Sequence, residues 1–252
     1  MTPLQDPALV DLSDGNLGGH HPRMRMGPAI AVYVWQYPLR LVHWGIVISI
    51  GVLAVTGYYI HDPYIYGLTN RPFLMGWFRF VHECFGMLFL ALALLRIYLF
   101  FGGNQWEGWR QYIPLRKEHF QEMWEMVKFY VFIRPRPVSK IGHNHLAALS
   151  YVGLYCLVLV ECVTGLVMYQ RLLHNAFLLA LVGWIPRFVN VQTLREIHFF
   201  LMYVFIAFGV FHVHLAMLVS RFEKHGLMDS IFIGYKVIPV EEIEKEEAAA
   251  NK

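Results

Sequence analysis

Four apolar runs dominate the chain, at roughly 39–60, 78–101, 146–169 and 197–220. A hydrocarbon core of ~30 Å takes about 20 helical residues, so the pattern predicts four membrane-spanning helices. Two further apolar pieces, 176–186 and 29–37, are too short to cross, and the first ends at Pro186; both are expected to lie at the interface. Between the second and third runs Phe120, Met123, Trp124 and Val127 recur at helical spacing beside Glu118, Glu122, Glu125 and Lys128. That periodicity predicts an amphipathic surface helix over 118–133. The polar stretch 241–252 is expected to be disordered. The segment 1–28 contains Asp6, Asp11 and Asp14 and no apolar h-region, so no cleavable signal peptide is expected there.

Composition sharpens this. Of 252 residues 57% are hydrophobic and 15% charged, against about 25% charged in a soluble domain, and mean hydropathy is +0.43. A soluble globule is excluded; the expectation is an all-α membrane protein, one domain over 1–252 built on a four-helix transmembrane bundle with short interfacial helices. A net charge of +3 with cations scattered at the ends of apolar runs excludes nucleic acid as a partner. Those cations report orientation instead. The segments preceding the first run, joining the second to the third and following the fourth, with Arg40 at the start of the first run and Arg96 at the end of the second, carry sixteen Lys and Arg. The other side carries five: Arg71, Arg79, Arg171, Arg187 and Arg195. The excess marks the cytoplasmic side, so the N-terminal segment 1–35 and the tail 221–252 are both expected there.

Cys84, Cys156 and Cys162 lie inside apolar runs and form no C-x-x-C, which disfavours a cysteine-held iron–sulfur cluster, a zinc ribbon and covalent c-type haem. Histidines are the better metal-ligand candidates. An ionisable side chain inside a spanning helix is costly and marks function by default, which singles out His43, His82, His198, His212 and His214. The 14 positions between His198 and His212 correspond to about 40° of rotation and about 21 Å of rise, so these two share one seam at two depths. His214 is rotated about 160° from His198 and points elsewhere. With alternating helix directions, His43 falls at the depth of His212 and His82 at that of His198. Two stacked bis-histidine sites in a four-helix bundle are what two b-type haems require.

Arg40, Arg79 and Arg195 each precede a candidate ligand by three residues, on the same helix face, and are candidates for haem propionates, although arginines at helix ends also snorkel to headgroups. Gly86, one turn beyond His82, and Gly209, about three turns beyond His198, lie on the ligand faces, where a missing side chain admits a flat ring or simply helix packing. His61 is an alternative outer ligand, Trp44 and Trp77 suit an interfacial belt, and Glu161 reads as a buried hydrogen-bonding partner before a proton carrier.

The segments Y-P-L-R-L-V-H-W (37–44), G-H-N-H-L-A (142–147), L-R-E-I-H (194–198), F-H-V-H (211–214) and G-Y-K (234–236) resemble the b-type cytochrome subunit of membrane-bound nickel–iron uptake hydrogenases. They also resemble the related cytochrome subunit of respiratory formate dehydrogenase. The resemblance covers nearly the whole chain after residue 30. It implies an electron-transfer subunit of a respiratory chain in the bacterial inner membrane, with no hydrogen chemistry of its own. Haem b would be ligated by His43 and His212 on the inner side and by His82 and His198 on the outer side. The implied partners are a periplasmic nickel–iron large subunit, an iron–sulfur small subunit whose C-terminal helix docks on the cytochrome, and a quinone. By analogy with the formate enzyme, the quinone site would form on the cytoplasmic side where Gly142, His143 and Asn144 open the third helix. Asn144 equally suits a helix cap, and this sequence has histidine at 145. Alternatives are a cytochrome subunit of formate dehydrogenase or thiosulfate reductase, a passive anchor, or a haem-free transporter or proton channel using the histidines as a relay. No internal repeat of the transporter type is visible.

Overall fold

A computed structural model describes residues 9–10, 29–63, 73–102, 112–113, 116–138, 140, 142, 144–223 and 226–240. The expectations for 241–252 and for most of 1–28 fall outside this set. In chain order the elements are β1 (Leu9–Val10), β2 (Ala29–Tyr33), α1 (Tyr37–His61), α2 (Leu74–Gly102), α3 (Lys117–Tyr130), α4 (His145–Leu173), α5 (Ala176–Val182), a 3₁₀ turn (Ile185–Arg187), α6 (Val191–Glu223), α7 (Leu227–Ile233) and β3 (Tyr235–Pro239). Among the described residues four helices, α1, α2, α4 and α6, are long and apolar enough to cross a membrane.

Local chemistry explains where the long helices begin and end. Pro38 lies in the first turn of α1, where its missing N–H costs nothing, and Pro63 follows the last turn. Asn144 Oδ1 accepts from Ala147 N at 2.9 Å at the start of α4, and Asn190 Oδ1 accepts from Gln192 N at 2.8 Å at the start of α6. Each side chain satisfies an N–H that the first helical turn leaves orphaned. After α4 the chain turns at His174, in the left-handed region at φ 53°, with its N–H donating to Gln170 O.

Leu41–Gly102 and Ala148–Val213 form one compact unit. Its core joins Phe89 and Ala93 of α2, Val158 of α4, and Leu201 and Phe205 of α6, with Ile46, Ile50 and Leu53 of α1 packed against them. A second cluster seats α5 and the 3₁₀ turn, through Val182, Ile185 and Val189, against Val167 of α4 and Leu194 of α6. The segment 176–186 is thus a short helix that folds back and does not cross. Many large apolar side chains on the spans face outward, among them Ile48, Val55, Leu94, Leu159, Phe200 and Val210, an arrangement that lipid tolerates and water does not.

The other unit comprises Met1–Arg40, Gly103–Ala147 and His214–Lys252. Here the apolar piece 29–37 is a strand over most of its length where a short interfacial helix is expected. Ala29–Tyr33 is the middle strand of a three-stranded antiparallel sheet, β1-β2-β3, pairing Ala29 with Pro239 and Tyr33 with Tyr235. Val34, Trp35, Leu39 and Ile238 form its core, and Trp35 Nε1 donates to Ser230 Oγ at 2.9 Å. Gly234, at φ 92°, ends α7; a side chain there would lie 2.5 Å from the Tyr33 ring. The tail 221–252 therefore contains α7 and a strand. α3 forms where amphipathicity predicts a helix but stops at Tyr130, and the face it buries is Met126 and Phe129 against Val219. Phe120 and Trp124, on the apolar side of the predicted surface helix, are exposed.

Candidate functional site

The compact unit that holds most of the spans brings the candidate histidines together in two pairs. His43 of α1 and His212 of α6 have ring centroids 6.4 Å apart, with planes at 54°. His82 of α2 and His198 of α6 have centroids 6.3 Å apart, with planes at 68°. With metal–imidazole bonds of about 2 Å and about 1.1 Å from each nitrogen to its ring centre, two rings on opposite sides of one metal have centres about 6 Å apart. Each pair can therefore straddle one iron. His61 instead stacks on Phe199 at 3.6 Å, and His214 is exposed.

The partners of the rings differ. His82 Nδ1 is 2.9 Å from Thr56 Oγ1 of α1. His198 Nδ1 is 3.0 Å from Thr164 Oγ1 and 3.3 Å from Glu161 Oε1, both on α4. Glu161 Oε2 is buried without a hydrogen-bond partner among the described residues. His212 Nδ1 is 3.3 Å from Tyr151 Oη, and its ring lies nearly parallel to that of Phe208. His43 Nδ1 is buried with no hydrogen-bond partner among the described residues.

Of the arginines, Arg40 donates to Phe232 O and lies over the Tyr37 ring, Arg79 is exposed, and Arg195 is exposed and reaches Gln192 Oε1 at 3.4 Å. Among the described residues a Cβ added at Gly86 or Gly209 would meet nothing within 4 Å, so these residues leave the space beside both unfilled. Arg96 of α2 is buried, with its guanidinium 5.6 Å from the Tyr155 ring.

Around 142–144, Gly142 is buried, Asn144 caps α4, and His143 lies outside the described residues. His145 Nδ1 is 2.8 Å from Glu122 Oε2 and its ring stacks on His119 at 3.9 Å, while Lys140 Nζ is 3.1 Å from Glu122 Oε1. Burial pushes the Glu122 carboxyl up, but the His145 hydrogen bond and the Lys140 ammonium together outweigh it and hold the pKa below the usual range. Burial, reinforced by the adjacent His145, lowers that of His119.

The sequence model of the family described as prokaryotic cytochrome b561 matches residues 34–234. The chain belongs to that family. Similar proteins include the probable Ni/Fe-hydrogenase B-type cytochrome subunit of Azotobacter vinelandii, 33% identical over 216 residues that cover 82% of this chain and 89% of that one. The probable Ni/Fe-hydrogenase 1 B-type cytochrome subunit of Escherichia coli K12 is 29% identical, over 82% and 91%. The probable Ni/Fe-hydrogenase B-type cytochrome subunit of Rhodobacter capsulatus is 28% identical over 222 residues, 85% and 84%. The cytochrome is thus an integral membrane protein of electron transport, and its family implies haem b.

The residues present fit that group. Four neutral-capable imidazoles stand in two opposed pairs, and unfilled space lies beside Gly86 and Gly209. What spacing missed is the second layer of the cytochrome: Thr56, Thr164, Tyr151 and the buried Arg96. A signal existed for the first two, because the dipeptide Thr-Gly occurs in both α1 and α4, at 56–57 and 164–165.

Proposed function

We propose that the cytochrome is the membrane electron-transfer subunit of a nickel–iron hydrogenase, holding two haems b and carrying electrons from a periplasmic iron–sulfur small subunit to the quinone pool. The observation that carries this reading is the opposition of His43 to His212 and of His82 to His198 at centroid separations of 6.4 and 6.3 Å. Each pair ligates one haem iron through its free ring nitrogens. When bound, haem supplies a one-electron ferric/ferrous couple tuned by ligation and burial.

The chain supplies the rest. α6 spaces the two sites by about 21 Å, and Leu201 and Phe205, buried between its two histidines together with Phe89, keep water out of the interval. Gly86 and Gly209 leave room for ring edges. Arg79 and Arg195 are the flexible cations best suited to propionates; Arg40 is engaged with Phe232 O. The cation excess supports a bacterial inner-membrane orientation with both termini cytoplasmic. Quinone then binds on the cytoplasmic side around Gly142, His143 and Asn144, where His145 and Glu122 offer hydrogen bonds and protons. The names of the similar proteins support a hydrogenase partner, with large and small subunits, over formate dehydrogenase or thiosulfate reductase.

The test is a difference spectrum and haem-to-protein ratio on the purified complex. Two haems b per chain, reduced by hydrogen and reoxidised by quinone, are expected. A ratio of one or none, or reduction by formate and not hydrogen, overturns the reading. A haem-free transporter would show no b-type spectrum.

A further inference from the structure

We infer that Thr56 and Thr164 are positioning residues that set the tautomer and the donor strength of the His82–His198 pair, an inference that rests on that pair ligating haem.

A threonine hydroxyl carries one proton. Thr56 Oγ1 lies 2.8 Å from Val52 O, one helical turn back, and Thr164 Oγ1 lies 2.9 Å from both Val160 O and Glu161 O. A carbonyl only accepts, so each hydroxyl proton is spent on its own helix, the usual back-bond of a mid-helix threonine. The contacts at 2.9 Å to His82 Nδ1 and 3.0 Å to His198 Nδ1 must then run the other way, with Nδ1–H donating to the hydroxyl oxygen. A neutral imidazole protonated at Nδ1 leaves its lone pair on Nε2, the atom left for iron.

The next residue completes the cradle. A Cβ at Gly57 would stand 3.0 Å from His82 Cε1, and one at Gly165 would stand 3.3 Å from His198 Cε1. Each ring is thus held between a hydroxyl and a bare stretch of helix backbone. α1 does this for a histidine of α2, and α4 does it for a histidine of α6. The same dipeptide performing the same task on two different helices makes a chance contact a poor explanation.

Donation from Nδ1–H raises the basicity of a metal-bound imidazole, which favours ferric over ferrous iron. Removing the acceptor raises the midpoint potential of that haem. Thr56→Val and Thr164→Val keep the side-chain shape and delete the hydroxyl. Each is expected to shift one of the two haems upward by on the order of tenfold in the ferric/ferrous ratio at fixed potential, about 59 mV for a one-electron couple. The low-spin EPR g values of that haem, which report the angle between imidazole planes, should change with it. Each ring keeps a backbone carbonyl partner, Leu53 for His82 and Glu161 for His198, and His198 alone of the two also has Glu161 Oε1 at 3.3 Å, so the effect at Thr56 should be the larger. Thr56→Ser and Thr164→Ser retain the hydroxyl and should restore wild-type potential and g values.

If a valine variant drops one haem but keeps the protein in the membrane, restoration by serine supports the inference, and serine variants that behave like valine overturn it. If a valine variant does not accumulate, the alanine variant is read in the same way. Two fully occupied haems with unchanged potentials and g values in both hydroxyl-deleted variants also overturn it, leaving the ligand reading intact. His82→Ala and His198→Ala that retain two haems overturn the ligand reading itself.

Discussion

At the His82–His198 pair both Nδ1 atoms meet a threonine hydroxyl, at 2.9 and 3.0 Å. At the His43–His212 pair one Nδ1 faces Tyr151 Oη at 3.3 Å and the other is buried with no hydrogen-bond partner among the described residues. The centroid separations are nearly equal. Helix geometry alone can bring two imidazoles to a common spacing, but ring orientation and basicity depend on what stands behind each ring. The first pair is held from both sides, and the second is held weakly from one. In the proposed function, this gives the two haems different potentials from identical ligands, the His82–His198 haem being the lower through its stronger Nδ1 donation.

The severest way to break the comparison is to delete a ligand on each side. His198→Ala and His212→Ala should each reduce haem content from two per chain to one and abolish hydrogen-driven quinone reduction. Pyridine haemochrome assay against protein mass checks this. Loss of both haems in either variant would mean that the sites are not separable.

Next come the glycines. Gly57→Ala pushes a methyl to 3.0 Å from His82 Cε1, and because Thr56 pins the same ring, haem affinity at that site should fall about 10-fold, within the range usual for disturbing a ligand's support. Gly86→Ala and Gly209→Ala meet no atom of the described residues within 4 Å. They should leave the haem-free fold as stable, or up to about 1 kcal/mol more stable through helix propensity, while haem loading falls. Haem titration and thermal melts with and without haem separate the two effects.

Tyr151→Phe sharpens the comparison from the other side. The Tyr151 contact, at 3.3 Å, is long for a bond with a hydroxyl, so its loss should move the His43–His212 haem by less than either threonine deletion moves its partner. A redox titration resolving both haems is the check.

The mildest perturbation spares both pairs and acts on the cluster around Glu122, which faces Lys140 and His145 while His119 stacks on His145. His119 has a lowered folded-state pKa, so the unfolded chain binds the extra proton first, and stability drops as pH falls through its ordinary value of 6.5. Glu122 is also lowered, so its contribution is complete above 4.5 and is lost below that, as pH falls through its folded value. Melting temperature should decline in two stages. His119→Gln should remove the upper stage and Glu122→Gln the lower, with haem content unchanged.

The spans and the histidine seam were legible because both follow from local periodicity: a run of about 20 apolar residues matches the bilayer, and about 14 residues return a helix to nearly the same face. β2 was not legible, because its pairing partner Tyr235–Pro239 lies near the opposite end of the chain, and no local window contains it. Nor was the packing of Met126 and Phe129 against Val219, since amphipathicity names an apolar face without saying whether protein or lipid covers it.

The chain's own residue order thus determined that four helices can cross a membrane and that His198 and His212 share one face at two depths, because helical rise and rotation per residue do not depend on neighbours. Only tertiary packing decided that Thr56 and Thr164 stand behind His82 and His198, that Gly57 and Gly165 let those rings approach, and that His43 has no such support. Contacts between helices depend on which faces meet, and that is settled by how whole helices interlock.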